Sequence, residues 1–326
     1  MSETVSVGTT VPTERAVRYK PKLFFIKRIS PLAAHRERWF YLMISPWLIG
    51  FVLFQGGPIV ASALLSLTNW DLVHAPEWVG LEHFVAMFTQ DPLFWKTSWN
   101  TLYYTVGSVP TGLVLAFVLA LLLNERVHGV NIFRTIFFLP SVLSGIAVIL
   151  LWGWIFNPKF GIINGLLATI GITGPGWLQD EQWAMPALII MSFWGVGWMM
   201  LVYLAGLQGV PKELYEAAEI DGAGSWARFR HITVPMVSPV TFFLLITSMI
   251  GSFQVFSQSY VLTHGGPNNA TLTYGLYIYF NAFVWNKMGY GAALAWFLFA
   301  AILVITLIQF KLAGRWVFYE QEGSRN

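Results

Sequence analysis

An all-α integral membrane protein is the fold class this sequence predicts, on three observations. Of its 326 residues, 56% are hydrophobic and only 11% are charged, with mean hydropathy +0.60, whereas about a quarter of a soluble domain is charged. Six apolar runs are near or above the roughly 20 residues needed to cross a bilayer. The third observation is charge asymmetry: when six spans alternate, 16 of the 19 Lys and Arg residues fall on one side, and only Lys96, Lys159 and Lys287 on the other. Basic residues stay inside, so both termini are expected in the cytoplasm and the protein in the cytoplasmic membrane.

In chain order, residues 1–39 form a basic tail carrying Arg15, Arg18, Lys20, Lys22, Lys27, Arg28, Arg36 and Arg38. Anionic lipid next to the first span accounts for this cluster, and no nucleic-acid partner is expected. The apolar run that follows is too long for a signal-peptide core and lacks a small-residue cleavage pattern, so it reads as a retained helix. Spans are expected at about 40–67, 99–123, 132–156, 184–208, 238–262 and 292–312, forming one transmembrane domain over 40–312, with a cytoplasmic tail at 313–326. Outer loops are expected at 68–98, rich in interfacial aromatics such as Trp70 and Trp78, and at 157–183, rich in Gly and Pro. The third outer loop, HGGPNNAT at 264–271, turns at Gly265, Gly266 and Pro267.

Several chemistries find no residues. None of the 16 acidic residues lies inside an expected span, which argues against proton coupling, since ion-driven carriers place ionisable or polar ligands at mid-membrane. No stretch has the form GxxxxGK followed by Ser or Thr, so the chain lacks that means of holding ATP phosphates. There is no cysteine, and the six histidines are scattered over loops without metal-ligand spacing. Neither a catalytic residue, a metal site nor a bound cofactor is expected. If transport is powered, a partner powers it.

A solute path is expected where spans combine polar, small and aromatic side chains. Span five offers Gln254 and Gln258 at helical spacing, with Phe253, Ser257 and Tyr260 on adjacent faces, and span four adds Trp194 and Trp198. Rings can cover the C–H face of a sugar while amides and hydroxyls pair with its hydroxyls. The same residue types also pack membrane helices against one another, so both readings stay open.

One polar island interrupts the apolar chain: VPKELYEAAEIDGAGSWARFRHITVPMVSP, residues 210–239. Pro211 suits a first helical position and Gly222 the left-handed position past a helix end. Ser225 can cap a second short helix, Pro235 can end it, and Pro239 can open the next apolar run. On the first helix Leu214, Ala217, Ala218 and Asp221 make a nearly flat face rimmed by Glu213, Glu216 and Glu219, which suits docking onto another protein.

The set Glu216, Ala217, Ala218, Asp221, Gly222 and Ala223, followed at fixed distances by Phe229, Ile232 and Pro235, resembles the EAA loop of binding-protein-dependent ABC importer permeases. Further runs extend the resemblance over about residues 40–312 and point to the sugar class: YLMISPWLIGFVLFQGGPIVASALLSLTNWD, FRTIFFLPSVLSGIAVILLWGWIFNPKFGIIN, YLAGLQGVPKELYEAAEIDGA and YVLTHGGPNNAT. The chain looks like the partner often called the first permease, whose relatives carry maltose, other oligosaccharides or glycerol phosphates. The resemblance implies a six-helix type I ABC importer permease fold whose coupling helix, in the loop 210–237, sits in a cleft of a cytoplasmic ATPase, with Glu216 paired to a basic residue there. It further implies a second homologous permease, two ATPase copies holding ATP and Mg, and an extracytoplasmic solute-binding protein. Three rivals stand beside it: an ABC permease for a non-sugar solute, a self-contained secondary carrier or channel, and a membrane anchor or scaffold without transport, which would leave the amide and aromatic pattern of span five unexplained.

Overall fold

The computed structural model describes residues 31–125 and 128–318. The basic residues from Arg15 to Arg28, Arg126, and the tail beyond 318 lie outside the described residues. The chain divides at Pro58 into two units. In the first, the helix α1 (Pro31–Phe51) runs into a π turn (Val52–Gly56); α2 (Gly57–Leu65) follows and lies mostly in the second. Helix α1 begins at Pro31 rather than near 40, because Arg36, Glu37 and Arg38 are taken up as a polar first stretch of the same helix. None of the most apolar window between His35 and Leu65 is buried, and a helix apolar all round needs the apolar surroundings that a bilayer supplies.

After α2 the second unit continues with a two-stranded antiparallel hairpin, β1 (Thr68–Asn69) on β2 (Glu77–Trp78), and the short α3 (Glu82–Thr89). The long α4 (Pro92–Asn124) follows. Asp91 starts it well before residue 99: its carboxylate accepts from the Leu93 and Phe94 amides, and Pro92 sits where no N–H is needed. Arg134 closes its other end, donating through Nη2 to the Leu123 carbonyl at 2.7 Å.

Then come α5 (Val130–Val142), α6 (Gly145–Ile155), α7 (Ile162–Thr169), α8 (Glu181–Ser192), a 3-10 turn (Phe193–Gly195) and α9 (Gly197–Gln208). The polar island forms α10 (Lys212–Ile220) and α11 (Ser225–Arg228), and a π turn (Phe229–Thr233) leads into α12 (Val234–Phe253). After α13 (Ser257–Thr263) and α14 (Tyr274–Tyr279), α15 (Met288–Ala313) ends the described helices. Four helical stretches are long and apolar enough to cross a membrane; two bent pairs bring the number to six if each counts as one span.

The core sits where α4, α9 and α12 meet. Ser108, Gly112, Ala116 and Ala120 recur every fourth residue on α4 and all are buried, a stripe of small side chains that lets helices approach. Met200, Tyr203, Leu204, Val237 and Leu244 pack on that side. Two glycines on α9 show how close the approach is. A Cβ on Gly206 would stand 2.7 Å from Val240 Cγ2, and one on Gly197 only 2.0 Å from the Phe137 carbonyl oxygen of α5.

Three expectations differ from this architecture. The run 132–156 is two helices at 101°: Pro140 withholds a donor from α5, and Leu143 and Ser144 turn extended before Gly145 opens α6. The run 238–262 stops at Phe253, so Gln254 and Gln258 do not share a continuous helix. The cause is tertiary. Thr273 Oγ1 donates to the Val255 carbonyl at 2.9 Å, and Gly275 leaves room for it, since a Cβ there would sit 3.0 Å from that oxygen. Finally, Pro235 does not end a helix and Pro239 does not open one. The π turn shifts the ladder so that Val234 bonds to Phe229, and Ser225–Phe253 runs as one helix with both prolines inside.

Candidate functional site

The turn after α10 is built by local chemistry. Gly222 has φ +79°, Ala223 N–H bonds to the Ala218 carbonyl at 2.8 Å, and Gly222 N–H to the Glu219 carbonyl at 3.0 Å. These two bonds are the Schellman closure of a helix end. Ser225 lies at the start of α11 without capping it, and Gly224 precedes it. Glu219 reaches across the turn to Arg228, Oε2 to Nη1 at 3.1 Å. Glu213, Glu216, Ala217 and Asp221 are exposed, and Ala218 and Ala223 half-buried.

Large apolar side chains complete this surface: Ile220 is 87% exposed and Trp226 71%, with Trp226 stacked on Phe229. Beside them a groove of about 450 Å³ runs between Leu214, His231, Ile232, Pro235, Met236 and Phe318. Sequence reasoning passed over Ile220 and Trp226, although each stands as a lone bulky residue in a polar stretch, which was the available signal. Underneath, Tyr215 packs on the core and its hydroxyl meets Thr233 Oγ1 at 2.9 Å. The face is thereby tied to the π turn that begins the ascent of α12.

At the far end of that helix the breaks surround two cavities. One, of about 360 Å³, is lined by Tyr104, Ser108 and Gly112 of α4, Ser192 of α8, and Ser248, Gly251, Gln254, Ser257 and Gln258. The other, of about 420 Å³, lies between Leu143, Ser144 and Gly145 at the break of α5 from α6, and Trp194, Ser257 and Gln258. Ser192, Ser257 and Gln258 line both. So Gln254, Gln258, Ser257 and Trp194 come together although the helix expected to align the two amides is interrupted. The other three path residues lie elsewhere: Phe253 is buried, Tyr260 stacks on Phe256 at 5.3 Å, and Trp198 is exposed but lines neither cavity. The hydroxyls of α4 and α8 were missed because in sequence they look like helix-packing residues. Neither cavity holds an ionisable carboxylate or amine, and the lining of hydroxyls, amides and rings suits a neutral polar solute.

The loop 264–271 and the residues after it are pinned to α4. The Gly266–Pro267 bond is cis, Asn100 Nδ2 donates to the carbonyls of Asn269 (2.8 Å) and Leu272 (3.0 Å), and Thr271 donates to Gly266. Nearby, Asp91 Oδ2 accepts from the hydroxyls of Tyr277 (2.6 Å) and Tyr290 (2.5 Å), so one carboxylate joins the start of α4 to α14 and α15. Burial, and then the Asp91 carboxylate, hold the Tyr277 phenol far above its ordinary pKa, so it remains a donor. Among the described residues no three His, Cys, Asp or Glu side chains converge on a metal-sized point.

Comparison with known proteins gives this architecture a family. The probable ABC transporter permease protein YesP of Bacillus subtilis is 41% identical over 286 residues, covering 86% of this chain and 92% of the relative. The arabinooligosaccharides transport system permease protein AraP of the same organism is 35% identical, covering 95% and 97%. The lactose transport system permease protein LacF of Rhizobium radiobacter is 37% identical, covering 84% and 93%. Among solved structures, a chain of a bacterial ABC transporter involved in import of the acidic polysaccharide alginate superposes with TM-score 0.76 at 27% identity, over 86% of this chain and 96% of that one. Residues 108–317 match the family model described as binding-protein-dependent transport system inner membrane component. They span the broken helices, the cavities and the capped turn alike, and the chain belongs to that family of ABC importer permeases.

Proposed function

We propose that this chain is one of two homologous permeases of an ATP-driven importer that moves a sugar or oligosaccharide through the cavities at Gln254, Gln258, Ser257 and Trp194. The observation that carries the reading is the single helix Ser225–Phe253, which joins an exposed docking turn at one end to the cavity wall at the other. At about 1.5 Å per residue its 29 residues reach roughly 40 Å. The relatives named for arabinooligosaccharides and lactose support a sugar as the solute, and so does the uncharged, hydroxyl- and amide-rich lining.

In this reading both termini are cytoplasmic and the basic tail lies on anionic lipid. The transmembrane domain runs over about 40–312, with the coupling loop at 210–237 and short cytoplasmic segments before and after it. Two copies of an ATPase bind ATP and Mg, and one of them receives Glu216, Ala217, Ala218, Asp221, Gly222 and Ala223, with Glu216 facing a basic residue. Closure of the ATPases draws the turn inward, Tyr215 and Thr233 pass the displacement to α12, and the cavity changes the side to which it opens. A solute-binding protein delivers the sugar from outside; one solved alginate transporter contains a periplasmic protein bound to alginate pentasaccharide. No catalytic step belongs to this chain.

The test is purification of the chain from its native membrane in mild detergent, followed by reconstitution of what accompanies it. Recovery of a second permease and an ATPase, with sugar uptake only when ATP is enclosed, is the expected result. A chain recovered alone that passes solute without ATP would establish a carrier or channel instead, and ATP-driven uptake of a non-sugar solute only would replace the sugar.

A further inference from the structure

We propose that the outer-face cavity next to Asp91 is a second solute site, which takes a neutral oligosaccharide ahead of the cavities at the helix breaks; this rests on the sugar reading above. The cavity measures about 490 Å³, within the range of small-molecule sites, and shares no lining residue with the two inner ones.

Its polar groups fall into two sets. Asp91 is committed to the fold: one oxygen caps α4 through the Leu93 and Phe94 amides, and the other accepts the Tyr277 and Tyr290 hydroxyls. His83 is committed as well, its Nε2 donating to the Thr68 carbonyl at 3.0 Å. By contrast the side chains of Asn69, Gln90 and Lys287, on the same cavity wall, have no hydrogen-bond partner among the described residues. Between them stands Trp285, 44% exposed, its ring held edge-on by Tyr277 with centroids 5.9 Å apart.

An indole wall with unpaired amides and an ammonium around it matches the two surfaces of a sugar ring: C–H groups lie on the indole and hydroxyls pair with Asn69, Gln90 and Lys287. The lining carries one carboxylate, already satisfied within the fold, against one ammonium, so its formal charges cancel and the indole and amides suit a neutral ligand.

The absence of cysteine from the chain makes a direct test available. Ala86→Cys and Pro92→Cys, at lining positions to which no sugar contact is assigned, are introduced singly into the complete transporter in nanodiscs without ATP and labelled with a membrane-impermeant maleimide. Raffinose, cellotriose and xylotriose serve as probes, with Val73→Cys, 80% exposed and outside the cavity, as control. At about 10 mM trisaccharide a site with Kd of about 1 mM is about nine-tenths filled, so labelling at Ala86→Cys and Pro92→Cys slows about tenfold with at least one probe. Val73→Cys labels at an unchanged rate.

Adding Trp285→Ala to Ala86→Cys abolishes the protection and Trp285→Phe preserves it. The proposal is overturned if no trisaccharide protects, if Val73→Cys is protected equally, or if protection survives Trp285→Ala. The readout needs neither ATP nor uptake: protection without uptake would sink the import reading and leave this site standing, and uptake without protection would remove this site alone.

Discussion

The turn at Gly222 and the cavity walls at Gln254 and Ser144 are all departures from regular helix, yet they differ in what makes them. The turn is closed by residues within a few positions of one another: an αL glycine, two backbone bonds, and the Glu219–Arg228 pair. The break after Phe253 is held by Thr273 and Gly275, about twenty residues on, and the wall it forms is completed by α4 and α8. The turn is thus a self-sufficient piece of chain, while the cavity depends on the whole helical packing. Substitutions should therefore act locally in one region and globally in the other.

The largest expected effect is at the packing behind the cavities. Gly197→Ala drives a Cβ to 2.0 Å from a backbone oxygen that no side-chain rotation can relieve. Overpacking of this kind costs about 3 kcal/mol, so the yield of monodisperse protein on size exclusion should collapse. Next comes Gly222→Pro, whose ring fixes φ near −65° where the turn has +79° and removes the donor to Glu219. The protein should still reach the membrane while uptake is lost and the ATPase no longer copurifies; normal uptake would mean the turn is not the coupling element.

A third pair sharpens the cavity side. Gln258→Ala removes an amide shared by both cavities and should raise the KM for uptake about tenfold, at about 1.4 kcal/mol for its lost hydrogen bonds. Trp198→Ala should leave KM unchanged, and an equal effect from both would show that the path runs elsewhere. The smallest effect is expected from Tyr215→Phe. Losing the bond to Thr233 costs about 1 kcal/mol, and should lower solute moved per ATP hydrolysed without weakening ATPase binding.

What the sequence made legible follows the same division. Pro211, Gly222 and the EAA residues announce their turn because backbone dihedrals and capping are properties of neighbouring residues. The apolar runs announce spans for a similar reason, since hydropathy sums over a short window. Gln254 and Gln258 do line one cavity, but not through the continuous helix their spacing predicts, because the carbonyl of Val255 is captured by a residue outside any local window. Pro235 misled in the opposite sense: a proline signals a stop, and only the π turn before it shows how the helix absorbs two of them. Ser108, Gly112 and Ser192 could be recognised only once α4 and α8 were seen to face the same space.

Asp91 has one more consequence. By holding the first turn of α4, Tyr277 and Tyr290 on a single carboxylate, it ties three helix ends together. Away from that junction the helices are interrupted at Leu143–Ser144, Val196 and Gln254–Phe256. All three interruptions lie at or next to the cavity walls, so under the proposed function a bound solute would touch the chain where its helices are broken.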